Sequence, residues 1–155
     1  MSPDKKNTDP VIPSEMFGSI LEGIPDPLLL HRIRSDHGPG RIVFCNRKAL
    51  EITGYTREEI LDMNISDLGH PDSGLQYVAL ADNLQAGGTV LFERIIVRKD
   101  KTSFPVEVNG QLVEFQGEKM VLSILRDISK RKKTEEETHL HLMFEKIVST
   151  ISSRC

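Results

Sequence analysis

The chain has 155 residues, 20 Lys and Arg against 23 Asp and Glu, a net charge of −3 and a pI near 6.0. That is the length of one ordinary domain able to bury a core without staples, and the lack of basic excess excludes broad binding to nucleic acid or anionic membranes. Two cysteines, Cys45 and Cys155, make no disulfide framework and fit a reducing cytosol, so a cytoplasmic location is expected. No apolar run is long enough to cross a bilayer, and the polar, proline-rich N-terminus is unlike a signal peptide.

In chain order, residues 1–13 hold three prolines and several charges and read as a disordered arm. Met16, Phe17, Ile20, Leu21 and Ile24 recur at helical spacing, so residues 14–24 form a flanking helix capped by Ser14 and ended by Pro25. Residues 27–33 read as a strand, and Ser35 to Gly40 as a turn into a second strand at Ile42-Val43-Phe44, which makes a hairpin. Asn46 then caps a helix that starts at Arg47, carries Ala49, Leu50 and Ile52 on its apolar side, and stops at Gly54. Thr56 and Glu59 form a capping box, with Tyr55 and Ile60 as a hydrophobic staple, so a further helix begins at Arg57. After a connection holding Ile65 and Leu68, Ser73 to Gln76 offers another capping box, and a broadly apolar helix runs to Gly87-Gly88.

The final third is strand. Thr89–Arg98, Ser103–Phe115 and Lys119–Ile128 are β-rich and are separated by turn residues at 99–102 and 116–118. Phe104, Val106, Val108 and Leu112 alternate with Glu107, Asn109 and Gln111, giving one packed and one wetter face, and Pro105 points to an edge or a bulge. The polar face could meet the N-terminal helix or a second subunit. Helices grouped between two sets of strands imply an α+β fold, a five-stranded antiparallel sheet with helices on one face and flanking helices at both ends.

These residues resemble the PAS sensory domain of the kind called the S-box. The likeness is carried by Asn46, Gly54-Tyr55-Thr56 with Glu58-Glu59-Ile60-Leu61, His70-Pro71-Asp72, Arg98 to Thr102, and Arg126-Asp127-Ile128-Ser129, in that order. It implies a domain over residues 25–129 and a cytosolic module that senses ligand, light or redox state, dimerises, and signals to a neighbouring effector domain. Flavin-binding light sensors of the family place a reactive cysteine after the asparagine that here is Asn64, where this chain has Ile65. Their flavin-holding amides fall at Ile96, Val106 and Leu125, all apolar here, so a flavin adduct is disfavoured. Haem is disfavoured as well, because residues 74–88 contain no histidine. No cofactor is therefore expected. Ile65, Leu68, Tyr77, Arg94, Ile96, Val106 and Leu125 are the candidates for a pocket taking an unidentified small ligand, with Tyr77 or Arg94 as polar handle. A core filled by its own side chains is the alternative.

No phosphate loop, nucleophile elbow or metal spacing occurs, so neither catalytic nor metal-ligating residues are expected. Cys45 reads as a buried small hydrophobe more readily than as a redox sensor, and His139 and His141, two apart on a helix, as solvated positions. Arg126, Asp127, Ile128 and Ser129 mark the passage from the last strand to an exit helix, with Asp127 and Ser129 as acceptors for its first amides. Over residues 130–155 that linker helix presents Leu140, Met143, Phe144, Ile147, Val148 and Ile151 in one apolar stripe. The stripe either folds back on the domain or pairs with a second copy in a parallel coiled coil. It also looks like the opening helix of a GAF domain. A homodimer is expected, without nucleic-acid or membrane contact. The chain reads as a fragment of a longer signalling protein, and three readings stand: a sensor module, a ligand-free dimerising spacer, or a piece of a sensor histidine kinase or diguanylate cyclase.

Overall fold

Short polar residues fix the order of the chain before the core does. The protein is described here by a computed structural model that covers residues 14–70 and 77–153. Its elements are α1 (Ser14–Glu22), β1 (Leu28–Ile33), β2 (Pro39–Cys45), α2 (Arg47–Thr53), α3 (Arg57–Leu61), a 3₁₀ turn (Ile65–Leu68), α4 (Tyr77–Gly87), β3 (Thr89–Val97), β4 (Ser103–Phe115), β5 (Glu118–Asp127) and α5 (Ser129–Ser152). The strands form one antiparallel sheet in the order β2-β1-β5-β4-β3. The expected α+β fold is the one that forms.

Asn46 is fully buried and joins three segments. Its Oδ1 accepts from the amides of Leu28 and Ala49, each at 3.0 Å, so one oxygen caps α2 and pins the start of β1. Its Nδ2 donates to the Asp26 carbonyl at 2.8 Å, with the Leu21 and Ile24 carbonyls at 3.4 Å. Gly54 ends α2 at φ 78°, and Thr56 and Glu59 form the reciprocal capping box that starts α3. The Glu59 carboxylate also meets Lys99 Nζ at 2.8 Å, and this contact first of all holds its carboxyl below the usual range. Arg98 Nε donates to the Ile52 carbonyl while its guanidinium lies 4.0 Å over the Phe104 ring. The β3–β4 turn is thereby clamped onto α2 and α3. Leu29, Ile42, Val108 and Leu125 of the sheet bury themselves against Ala49, Ile60 and Leu68 from the helical side, each large apolar side chain contributing about 1.5–3 kcal/mol.

Several expectations need correction. Ser14 is the first residue of α1 rather than its cap, and the turn after β1 is shorter than expected because Pro39 already lies in β2. The 1–13 arm and the capping box at Ser73–Gln76 fall outside the described residues. Pro105 sits in β4, an interior strand whose registers with β3 and β5 run without a bulge. It is tolerated because the β4–β5 ladder ends beside it, while the β3–β4 ladder runs on to Ser103. The Pro105 carbonyl accepts from Ile128 N at 3.1 Å, so its nitrogen faces the same side, where an ordinary residue would donate back to the Ile128 carbonyl. That carbonyl instead accepts from Lys132 N at 2.9 Å, the first helical bond of α5. The missing amide of proline thus coincides with the point where strand gives way to helix.

Candidate functional site

Between the inner face of the sheet and the helical side lies a cavity of about 60 Å³. Leu29 and His31 of β1, Phe92, Arg94 and Ile96 of β3, and Val108 and Gly110 of β4 form part of its wall. Ser123 and Leu125 of β5 complete the sheet side, and Ile65, Leu68, Ala81 and Leu84 cover it. Of the pocket candidates, Ile65, Leu68, Arg94, Ile96 and Leu125 are brought together here. Val106 is fully buried in the adjoining core without lining the cavity, and the Tyr77 side chain lies outside what is described.

Arg94 is 7% exposed, and its Nε–H is buried without a hydrogen bond. Gly69 makes this placement feasible, since a Cβ there would overlap Arg94 Nη2. Among the wall residues that were not pocket candidates are the polar His31 and Ser123. The signal was the period of two, since His31 lies two residues after Leu29 and Ser123 two before Leu125. His31 Nδ1 lies 3.0 Å from the Arg32 carbonyl, which requires the proton on Nδ1 in the neutral ring and leaves Nε2 as an acceptor. Burial, with the charge of Arg94 adding a lesser push, lowers the His31 pKa to about 4 from 6.5, against the opposing Arg32 hydrogen bond. The folded state therefore binds fewer protons than the unfolded one in this window. Stability is full above the unfolded pKa and is lost as the pH falls toward the folded one, by about 2 kcal/mol from about pH 7.5 to about pH 5. Urea unfolding across that range is expected to show this slope in the native chain and to lack it in His31→Gln.

At the mouth of the cavity, His37 adopts a left-handed φ of 62° and sets its Nδ1 2.9 Å from Asp82 Oδ1, tying the β1–β2 turn to α4. Cys45 is fully buried and burial pushes its thiol up, outweighing the opposing charge of Arg57, which fits the core role. His139 and His141 are exposed on α5, where His141 meets Glu145 at 3.2 Å.

On the opposite face the chain leaves the sheet. Asp127 Oδ1 accepts from the Ser129 amide at 2.9 Å and from its hydroxyl at 2.5 Å, so Asp127 is an acceptor as expected, whereas Ser129 spends its hydroxyl on Asp127. Ile128 is buried and Arg126 exposed. Glu107 meets the exit helix rather than the N-terminal one. Arg131 lies 2.8 Å from Glu93 and 3.4 Å from Glu107, and Lys132 Nζ lies 2.7 Å from Glu93. These cations, Lys132 foremost, hold the Glu93 carboxyl below its usual range. Past this first turn α5 buries none of its residues. Leu140, Met143, Phe144, Ile147, Val148 and Ile151 are all exposed, so the helix does not fold back on the described domain. Among the described residues there is no cluster of His, Cys, Asp or Glu able to hold a metal, and no helix long and apolar enough to cross a membrane.

A family model described as PAS domain matches residues 25–130. The methyl sulfide methyltransferase-associated sensor of Methanosarcina acetivorans is 29% identical over 130 residues, which cover 81% of this chain. The match spans only 12% of that relative's length. Among solved structures, the PAS domain of an HTR-like protein from Haloarcula marismortui shares the fold at a TM-score of 0.62 with 23% identity, covering 74% of this chain and 91% of that one. The LOV protein of Rhodobacter sphaeroides does so at 0.65 with 19% identity, covering 80% and 71%. With the family match spanning the whole sheet and the helices between its strands, the chain belongs to the PAS domain family.

Proposed function

We propose that the chain is a sensory PAS module that holds a small ligand in the cavity beside Arg94 and passes its state through α5, in a dimer, to an effector domain of a longer cytoplasmic protein. One observation carries this reading. In β3, Phe92 and Arg94 face the cavity while Glu93 between them faces outward and grips Arg131 and Lys132 of the exit helix. A ligand that shifts Arg94 moves the backbone bearing Glu93, so the wall of the cavity and the anchor of the helix are neighbouring residues. The Methanosarcina relative's name, a sensor, supports the sensory part. No catalysis is assigned to these residues. A histidine kinase or a diguanylate cyclase as the parent, or a GAF domain after α5, belongs to the same proposal.

The size of the cavity favours a second reading. About 60 Å³ is well short of the roughly 300–1,000 Å³ of sites for drug-sized ligands, as a ligand-free dimerising spacer would have it. Native mass spectrometry of the purified chain separates the two. A reproducible small added mass is expected for the sensor, whereas a bare chain mass in every preparation assigns the spacer role instead.

A further inference from the structure

Resting on the reading of the cavity as a ligand site, we propose that its ligand is a short uncharged alcohol whose hydroxyl bridges Ser123 and His31. Ser123 lines the cavity and is 5% exposed, and among the described residues its hydroxyl makes no hydrogen bond. A serine enclosed in an apolar wall without a partner leaves a donor and an acceptor unmatched, and the polar group of a guest can satisfy them. His31 supplies the second contact. Its Nδ1–H donates to the Arg32 carbonyl at 3.0 Å, and among the described residues nothing donates to its Nε2. A neutral imidazole in that tautomer offers a lone pair and calls for a donor. Arg94 already has an interaction partner, and the polar contacts left to a guest are those of these two neutral side chains.

The sheet register sets the two groups on one face. Leu29 of β1 pairs with Ser123 and His31 with Val121, so His31 and Ser123 are diagonal neighbours, about 7–8 Å apart along the backbone. A hydroxyl between their side chains makes one hydrogen bond of about 2.8 Å to each. On its other side Ser123 pairs with Gly110, which brings no side chain over the hydroxyl, and a Cβ there would come 3.0 Å from Val90 Cγ2. The rest of the wall is largely apolar, with Leu29, Phe92, Val108 and Leu125 prominent, and this suits a hydrocarbon tail. A hydroxyl gives a proton to Nε2 and still accepts from Ser123, whereas an ether has no proton to give and a carboxylate turns lone pairs toward Nε2. An ion of either sign must also leave its water for a mostly apolar wall. Size limits the tail. A cavity of about 60 Å³ holds about five water-sized spheres, which corresponds to one oxygen and about four carbons.

The test is an amide-detected NMR titration of the full chain with butanol, its isomer diethyl ether, butyrate and butylammonium, read at Ser123, Leu125 and Phe92. Butanol is expected to bind at least tenfold more tightly than the ether or either ion. The preference over the ether reports the acceptor at Nε2 and should disappear in His31→Phe. Ser123→Ala should weaken butanol at least threefold and keep that preference. Should His31→Phe fail to fold, the native comparison and Ser123→Ala still decide. The ether or an ion binding as tightly as butanol, a preference that persists in His31→Phe, or butanol affinity unchanged in Ser123→Ala overturns the alcohol assignment while leaving the cavity a ligand site. Shifts with none of the four probes overturn both the alcohol assignment and the reading on which it rests.

Discussion

Asn46→Ala is expected to destabilise the protein by about 4 kcal/mol, because one side chain satisfies groups in three segments that have no other way to reach water. Its loss strips the acceptor from the Leu28 amide, in a residue that is fully buried. It also removes the cap on the Ala49 amide and the donor that serves the Asp26 carbonyl between α1 and β1. For a domain of this size the melting temperature should fall by about 10 °C. Urea denaturation should show a lower midpoint with an unchanged slope. A loss below about 1 kcal/mol would mean that the cap alone matters and that the link from α2 to β1 contributes nothing.

Ending the chain after Arg131 is expected to act on association and hardly on folding. The six apolar residues of the α5 stripe are solvent-exposed in the single chain, with Phe144 at 65% and Ile151 at 63%. Burying one large apolar side chain contributes about 1.5–3 kcal/mol, so losing even two contacts per chain should raise the dissociation constant at least a hundredfold, or about 2.7 kcal/mol. Because α5 buries none of its residues, the melting temperature of the remaining domain should barely move. Sedimentation equilibrium of the two chains measures the change, and equal association of both would refute the pairing of exit helices.

Much of the fold was legible because its signals are local. Asn46, Gly54 and the Thr56–Glu59 box act within a few residues of themselves, and the β4 alternation from Phe104 to Val108 reports its packed face directly. What remained hidden depends on which strand lies beside which. Pro105 reads as an edge residue until β5 is seen to end at Asp127 beside it. The grip of Glu93 and Glu107 on Arg131 joins residues 38 and 24 positions apart, which no helical or strand period encodes. Five of the seven pocket candidates line the cavity, whereas for His31 and Ser123 the period of two gave only the face, and that they share one wall follows from the register of β1 against β5, in which Leu29 faces Ser123 and His31 faces Val121. Gly69 gives no sign in the sequence that it makes room for Arg94.

The coupling of cavity to exit helix through β3 can be tested without knowing the ligand. Xenon enters small apolar cavities, and amide spectra of the full chain under xenon pressure report where its effect travels. Shifts are expected at Leu29, Val108 and Leu125 around the cavity and onward at Glu93, Arg131 and Lys132, with the Gln116-Gly117 turn unmoved. Shifts confined to the cavity, with the amides of Arg131 and Lys132 fixed, would contradict the transmission of its state through β3.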